Sequence, residues 1–324
     1  MLDSFKIFSG SSGKAFAEKI CSYIGVGLGK STVRNFSEGN TFVRIEEPVR
    51  GQDVYLVQSI GLDPNNEFVE ILFWLDAFKR ASAGSVTAII PYFGYAKGDK
   101  KDEPRVSIRA RVCAECLELS GADRIVTMDL HSPQVQGFFK KPVDHLQGMQ
   151  LQCEYIRSLK LDNYVIVSPD AGFAKEAREY SACLKVPTVI GDKARYDHSE
   201  NAKILELIGD VNGKDAIIVD DFTISGGTLT DLANTLKEHG AKRIFACVSH
   251  ILLNSKGLEQ IEKSCIEQLL STDTVNNPIA LNSKKIRLIS AAPLFAESIL
   301  RIQKRESISP LFDQIPRKVI DTSF

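Results

Sequence analysis

Nowhere does this 324-residue chain approach the ~18 uninterrupted apolar residues that a membrane-spanning helix needs, so no membrane partner is expected. Its opening, MLDSFKIFSGSSGKAF, lacks the basic segment and apolar stretch of a secretory leader. An excess of one charge is missing too. Forty basic residues face 41 acidic ones, a formal net charge of −1, so no general affinity for nucleic acid follows, although anionic small molecules stay open as ligands. The seven cysteines are an odd number with no disulfide-like framework, which fits a reducing compartment and a cytoplasmic location. One pair, Cys113 and Cys116 in RVCAEC, has CxxC spacing. It lacks a second pair or neighbouring histidines and falls inside a helical pattern, so plain packing is the expectation.

What is present is ordinary for a globular chain: 44% apolar and 25% charged residues, with length enough for two domains. Strands are predicted over 53–59, 85–93, 124–132, 164–170, 187–193, 215–221, 243–250 and 286–293. Between them Phe68, Ile71, Leu72, Leu75 and Phe78 recur at helical spacing, as do Leu229, Leu232, Ala233 and Leu236 before Gly240. Nearly continuous apolar strands separated by helices predict an α/β protein whose mostly parallel sheets are covered on both faces. A weak repeat adds a division into halves. GADRIVTMDLH from 121 and GAKRIFACVSH from 240 align at a constant offset, and IIPYF at 89 aligns with IIVDD at 217. The first half carries a longer, lysine-rich loop, GYAKGDKKDEPRVS, and the boundary is expected near 144–150.

Ligands of open α/β sheets gather beyond the carboxyl ends of the strands, where several polar clusters fall. The most specific is IIVDDFTISGGTL: a strand, the paired acids Asp220 and Asp221, then a glycine turn opening a helix. Such a turn suits a phosphate, and the acids suit vicinal hydroxyls or a sugar-bound Mg²⁺; together they point to ribose 5-phosphate. In TMDLHS, strand alternation would place Asp129 and His131 on one face, suiting a metal–nucleotide or simply a hydrogen-bonded pair. Asp170 in SPDAG is a further acid. Lys193 and Arg195 alternate in GDKARY, and fit either a solvated basic loop or cations facing a transferred phosphoryl group. The stretch 35–59 reads as a hairpin tipped at 38–40, whose Phe36 fits either a base-stacking aromatic or a core side chain.

These blocks, with FSEGN, RIEEPVRGQDVYLVQS, IPYFGYAKGDKK and APLFAESILRIQKRESISPLF, resemble the ribose-phosphate pyrophosphokinase (PRPP synthetase) family in order and spacing along essentially the whole chain. The resemblance implies two tandem phosphoribosyltransferase-like domains: 1–148, joined by a returning helix at about 292–305, and 149–291. It implies transfer of the β,γ-diphosphate of ATP to the C1 hydroxyl of ribose 5-phosphate, with Mg²⁺. The alternatives are a non-catalytic associated regulatory subunit and a nucleobase phosphoribosyltransferase. By position, Asp170, Asp220, Asp221, Ser225, Gly226, Gly227 and Thr228 would bind the sugar phosphate, with Lys193, Arg195 and His131 catalytic. Phe36, Glu38, Asn40, Lys97, Asp99 and His131 would meet ATP; Asp129, His131 and Asp170 would attend the metal. Arg50, Arg80, Ser82, Ser307 and Ser309 match a regulatory site in part. Self-association is implied, as homodimers building a hexamer. Several positions depart from the family's usual residues: Ile224 stands for an acid in the sugar loop, Lys97-Gly98 for Arg-Gln, Lys140 for an acid, and Pro48 for a hydroxyl residue at the regulatory site.

Overall fold

Short β-branched runs form strands and the amphipathic stretches between them form helices, in a computed structural model that describes residues 5–193 and 204–324. The described residues divide into two units, one drawn from 1–147, 274–276 and 291–323, the other from 148–273, 277–290 and 324.

The first unit opens with β1 (Phe5–Ser9), α1 (Lys14–Ile24) and a hairpin of β2 (Ser31–Asn35) and β3 (Thr41–Ile45). It continues through β4 (Asp53–Val57), α2 (Pro64–Arg80), β5 (Ser85–Ile90), α3 (Arg109–Ser120), β6 (Arg124–Met128) and β7 (Val143–Leu146). The sheet runs β1-β4-β5-β6-β7, every neighbouring pair parallel. Parallel strands need crossovers, which the helices supply, and burial on both faces explains why β5 is enclosed from Val86 to Ile90. The helical repeat expected at 68–78 is α2, whose Trp74 stacks on Phe78 at 5.6 Å between ring centroids while Phe8 meets Phe78 at 5.0 Å. The Trp74 indole N–H donates to Glu70 Oε1 at 3.1 Å.

The second unit comprises α4 (Met149–Ser158), β8 (Tyr164–Ser168), α5 (Ala174–Leu184), β9 (Thr188–Lys193), β10 (Ile204–Ile208) and β11 (Asp215–Thr223). Then come α6 (Gly227–Glu238), β12 (Ile244–Ile251), α7 (Ser255–Lys263), β13 (Ile266–Thr272), α8 (Pro278–Leu281) and β14 (Ile286–Ile289). Its sheet order is β10-β9-β8-β11-β12-β13-β14, parallel except that β10 runs antiparallel to β9. The chain then rejoins the first unit through α9 (Ala292–Lys304), α10 (Pro310–Asp313) and α11 (Arg317–Ser323). There Phe295 of α9 meets Phe16 of α1 edge-on at 5.4 Å, and Gln303 donates to Tyr55 Oη at 2.8 Å.

The fold is the α/β class read from the sequence, with local differences. β1, β7, β10 and β13 lie outside the predicted strands, as does β2 apart from Asn35, since the hairpin was expected over 35–59; VDHL and IEQLLST carry too many polar residues to read as strands alone. The strand expected over 124–132 stops at Met128, because Asp129 takes a left-handed φ of 41°. The strand expected over 286–293 ends at Ile289, and Pro293 sits in the first turn of α9 instead. Cys113 and Cys116 lie within α3, with Cys113 buried, so the CxxC pair is packing.

Leu236 of α6 is fully buried in the second unit's core, whereas Leu119 on α3 is 87% exposed. Leu236→Ala is expected to cost about 2–5 kcal/mol and Leu119→Ala less than about 0.5 kcal/mol. Urea unfolding of the two variants measures both.

Candidate active site

In the second unit β8, β9 and β11 run parallel, so their carboxyl ends share one edge of the sheet. The last β8–β11 pair joins Val167 to Ile218. β11 nevertheless continues to Thr223, because β12 still accompanies it through Phe222↔His250 and Thr223↔Ile251. The strand expected to end at 221 is therefore two residues longer. Asp220 and Asp221 stand on a stretch that β8 no longer flanks, and Asp170 follows the end of β8 beside them.

Each acid is aimed by backbone. Asp220 Oδ1 accepts the Asp221 N–H at 3.0 Å, Asp221 Oδ1 accepts the Phe222 N–H at 2.8 Å, and Asp170 Oδ1 accepts the Phe173 N–H at 3.2 Å. Removal from water pushes the Asp220 carboxyl well above the usual carboxylate range, and the charges of Asp221 and Asp170 push the same way. The Asp221 backbone N–H opposes that shift without cancelling it. Such a cluster favours whatever brings hydroxyl donors or positive charge to it.

Beside the acids lies the glycine turn. Gly226, at φ 73°, ends the turn and precedes α6. A Cβ there would meet Gly257 O at 3.2 Å and Ile261 Cγ1 at 3.3 Å, so α7 closes the turn from behind. Gly257 in turn allows that approach: its own Cβ would lie 2.8 Å from Ile224 O. A Cβ on Gly227 would meet only Ser225 Oγ at 3.5 Å among the described residues, which leaves that side open to a ligand. The first α6 amide bonded within the helix is Thr230 N–H, to Gly226 O at 3.0 Å. Of the preceding amides, Gly227 N–H donates to Ser225 Oγ at 3.4 Å, a long contact that an anion could replace, and the helix dipole points at the same place. Ser225 and Thr228 are exposed at the rim, as is Ile224. Gly257 carries no sequence signal, because its reason is a tertiary approach; Asn254, which caps α7 by accepting the Gly257 N–H at 2.8 Å, was legible as a capping residue but not singled out.

Lys193 is the last residue of β9, on the same sheet edge; its side chain and all of Arg195 lie outside the described residues.

The remaining candidates belong to the first unit. Asn35 and Thr41 close the hairpin, and Phe36, Glu38 and Asn40 are exposed at its tip, with Phe36 47% accessible and 6.3 Å from the Phe42 ring. Phe36 is therefore not a core side chain. Val33, Val43 and Ile45 pack on the core and hold the base of the hairpin. Lys97 closes a 3-10 turn at Gly94–Lys97, beyond β5, with Asp99 two residues on. Asp129 and His131 follow β6, but the left-handed Asp129 removes the strand alternation that would have put them on one face. Their loop is pinned by Asp129 N–H to Leu146 O at 3.1 Å and by Leu130 N–H to His145 Nε2 at 2.9 Å. Burial lowers the His145 pKa to about 4, which keeps that nitrogen a neutral acceptor. His145 was not anticipated from the sequence. Arg50 donates to Ser82 Oγ at 3.2 Å, and Arg80 pairs with Asp76 at 2.7 Å. Ser307 and Ser309 share a separate turn, in which Arg301 donates to Ser307 O at 2.9 Å.

A cavity of about 340 Å³ near the hairpin tip is lined by Ser11, Ser12, Asp63, Glu67 and Glu70, an acidic wall unsuited to phosphate. Among the described residues no three His, Cys, Asp or Glu side chains are arranged to hold an ion, so a metal here would need substrate oxygens and water to complete its shell.

Comparison with known proteins bears on this arrangement. Residues 5–121 match the family model described as the N-terminal domain of ribose phosphate pyrophosphokinase, and 192–313 match the phosphoribosyl synthetase-associated domain. The ribose-phosphate pyrophosphokinase of Oceanobacillus iheyensis is 43% identical over 96% of this chain and 98% of its own length. That of Caldanaerobacter subterraneus subsp. tengcongensis is 44% identical over the same shares. The crystal structure of phosphoribosylpyrophosphate synthetase from Mycobacterium smegmatis superposes with a TM-score of 0.88 at 34% identity, covering 93% of this chain and 99% of that one.

The raised pKa of Asp220 makes a stability prediction. The unfolded chain ionises this group from about pH 4 while the folded chain resists, so native stability is lost as pH rises above that point. Asp220→Asn, which keeps the shape and an acceptor oxygen, is expected to raise Tm by about 3 °C at pH 8. The gain should vanish by pH 4; calorimetry across that range checks it.

Proposed function

The chain belongs to the ribose-phosphate pyrophosphokinase family, and we propose that it transfers the β,γ-diphosphate of ATP to the C1 hydroxyl of ribose 5-phosphate, releasing PRPP and AMP. One observation carries the reading: the open glycine turn at the start of α6 follows within a few residues the paired acids near the end of β11.

In this reading the 5-phosphate occupies the turn, accepting from the first-turn amides of α6 and from the hydroxyls of Ser225 and Thr228. The 2- and 3-hydroxyls donate to Asp220 and Asp221, and the clustered like charges that raise the Asp220 pKa are relieved by those donors. Held at both ends, the sugar turns its C1 hydroxyl toward the β-phosphorus in line with the departing AMP oxygen, so orientation supplies much of the rate. Lys193 and Arg195 stabilise the charge that spreads over the transferred group, and His131 stands on the nucleotide side. Phe36 stacks on the adenine, Glu38 and Asn40 bind its edge or the ribose, and Lys97 and Asp99 complete the ATP site. Because the hairpin tip is exposed, a second copy of the chain is proposed to receive it, in homodimers that build a hexamer. Ile224 leaves the sugar loop one acid short of the family's usual set, so a weaker sugar site is part of the reading.

Asp129, His131 and Asp170 would be the residues to attend Mg²⁺, which when bound with the nucleotide would neutralise diphosphate charge. The carboxylate cluster fits a hard cation shared with substrate oxygens. Arg50, Arg80 and Ser82, with Ser307 and Ser309, are proposed to bind a regulatory phosphate. The seven unpaired cysteines support a cytoplasmic, reducing location, and no helix among the described residues is long and apolar enough to cross a membrane.

Purified protein with ATP, ribose 5-phosphate and Mg²⁺ is expected to form AMP and PRPP in equal amounts. Absence of both would favour a regulatory subunit, and consumption of PRPP with a free base would favour a phosphoribosyltransferase. Lys193→Ala is expected to lower kcat by about 100-fold or more with little change in either KM. A rise in KM for ATP with kcat intact would reassign Lys193 to ground-state binding.

A further inference from the structure

The helices α4 and α5 pair two cysteines for which the proposed reaction has no use. On α4, Gln150, Cys153 and Arg157 fall on one face, at i, i+3 and i+7, and all three meet Cys183 of α5. Arg157 Nη2 donates to Cys183 Sγ at 3.2 Å and to the Cys183 carbonyl at 2.7 Å, so the carbonyl holds the guanidinium against the sulfur. The Cys183 thiol can donate to Gln150 Oε1 at 3.5 Å. The Cys153 thiol hydrogen-bonds the Cys183 sulfur. Cys153 is fully buried, whereas Cys183 is partly exposed, so an oxidant from solvent reaches only one member of the pair.

We infer that Cys183 is a peroxide-reactive thiol and that Cys153 resolves it, closing a reversible disulfide between α4 and α5. Electrostatics agrees with the geometry. The hydrogen bond from Cys153 lowers the Cys183 pKa to about 6, burial opposes it, and the Arg157 charge lowers it further; the Glu154 carboxylate works against the shift. The same contact, with burial, raises the Cys153 pKa. The other cysteines differ. Burial pushes Cys21 to about 11 and Cys113 to about 12, and Cys265 Sγ faces Asn234 Oδ1 at 3.7 Å rather than a cation.

The chemistry balances in two steps. The Cys183 thiolate attacks one peroxide oxygen and the O–O bond breaks. Cys183 becomes a sulfenic acid, and the departing oxygen leaves as alcohol, or as water when the oxidant is hydrogen peroxide. Cys153 then attacks the sulfenic sulfur, the S–S bond forms, and the sulfenic oxygen leaves as water with the Cys153 proton. Two thiols are oxidised and one peroxide is reduced; a dithiol reductant restores the pair. Cys183 stands at the carboxyl end of α5, whereas Asp170 precedes its amino end, so this inference stands independently of the diphosphokinase reading.

The test is oxidation of the reduced full-length chain with one equivalent of hydrogen peroxide near neutral pH, quenching with a thiol alkylator, and peptide mapping without reduction. The expected first product is a Cys153–Cys183 crosslink that disappears with dithiothreitol. Cys153→Ser should leave a Cys183 sulfenic acid that dimedone captures, and Arg157→Gln should slow the first step by about tenfold. The preference for Cys183 over Cys116 and Cys265 should also vanish in denaturing urea, a reading that does not depend on any variant folding. Earlier oxidation of Cys116 or Cys265, a link from Cys153 to the buried Cys247, or a preference that survives in urea would each overturn the inference.

Discussion

Crowded negative charge at the carboxyl end of β11 is the constraint on which the site depends. Asp220 resists ionisation because it is withdrawn from water beside Asp221 and Asp170. Two of these groups sit on a strand that outruns its β8 neighbour, and the third follows that neighbour's end. A fold gains nothing in stability from such crowding. It becomes useful only when hydroxyl donors or a cation arrive, and the glycine turn just past β11 supplies the anchor that would bring them. The turn is itself a packing product. Gly226 takes a left-handed conformation against α7, and Gly257 lets that helix come close enough to hold it.

Much of this was legible in the sequence because it rests on local chemistry. IIVDDFTISGGTL announces a strand, paired acids and a helix start, and all three are present in that order, with the strand two residues longer than expected. The offset repeat also has a structural counterpart. β5, α3 and β6 follow one another as β11, α6 and β12 do, with each strand pair adjacent and parallel. The tip of the hairpin was readable at 38–40 and its aromatic is exposed, but its arms are Ser31–Asn35 and Thr41–Ile45 rather than the stretch 35–59, whose end is β4 of the parallel sheet.

What escaped the sequence depends on partners distant in the chain. The length of β11 is set by β12, not by its own residues, so its end could not be read from IIVDD. Asp129 breaks the strand with a left-handed φ because its loop is tied to Leu146 and His145 of β7, itself too polar to read as a strand. Gly257 looks like any helical glycine until α7 is set beneath the turn. The thiol pair of Cys153 and Cys183, 30 residues apart, is invisible until α4 and α5 pack.

Division of labour between turn and acids is tested most directly by a ligand cycle in titration calorimetry. The ligands are ribose 5-phosphate, 2-deoxyribose 5-phosphate and ribose; the proteins are the intact chain and Asp221→Asn. The account predicts that ribose without its phosphate fails to bind, and that the deoxy sugar binds about tenfold more weakly to the intact chain. It further predicts that the deoxy penalty shrinks in Asp221→Asn, the signature of one interaction removed from both sides. Equal binding of the two sugar phosphates by the intact chain, or tight binding of unphosphorylated ribose, would contradict it.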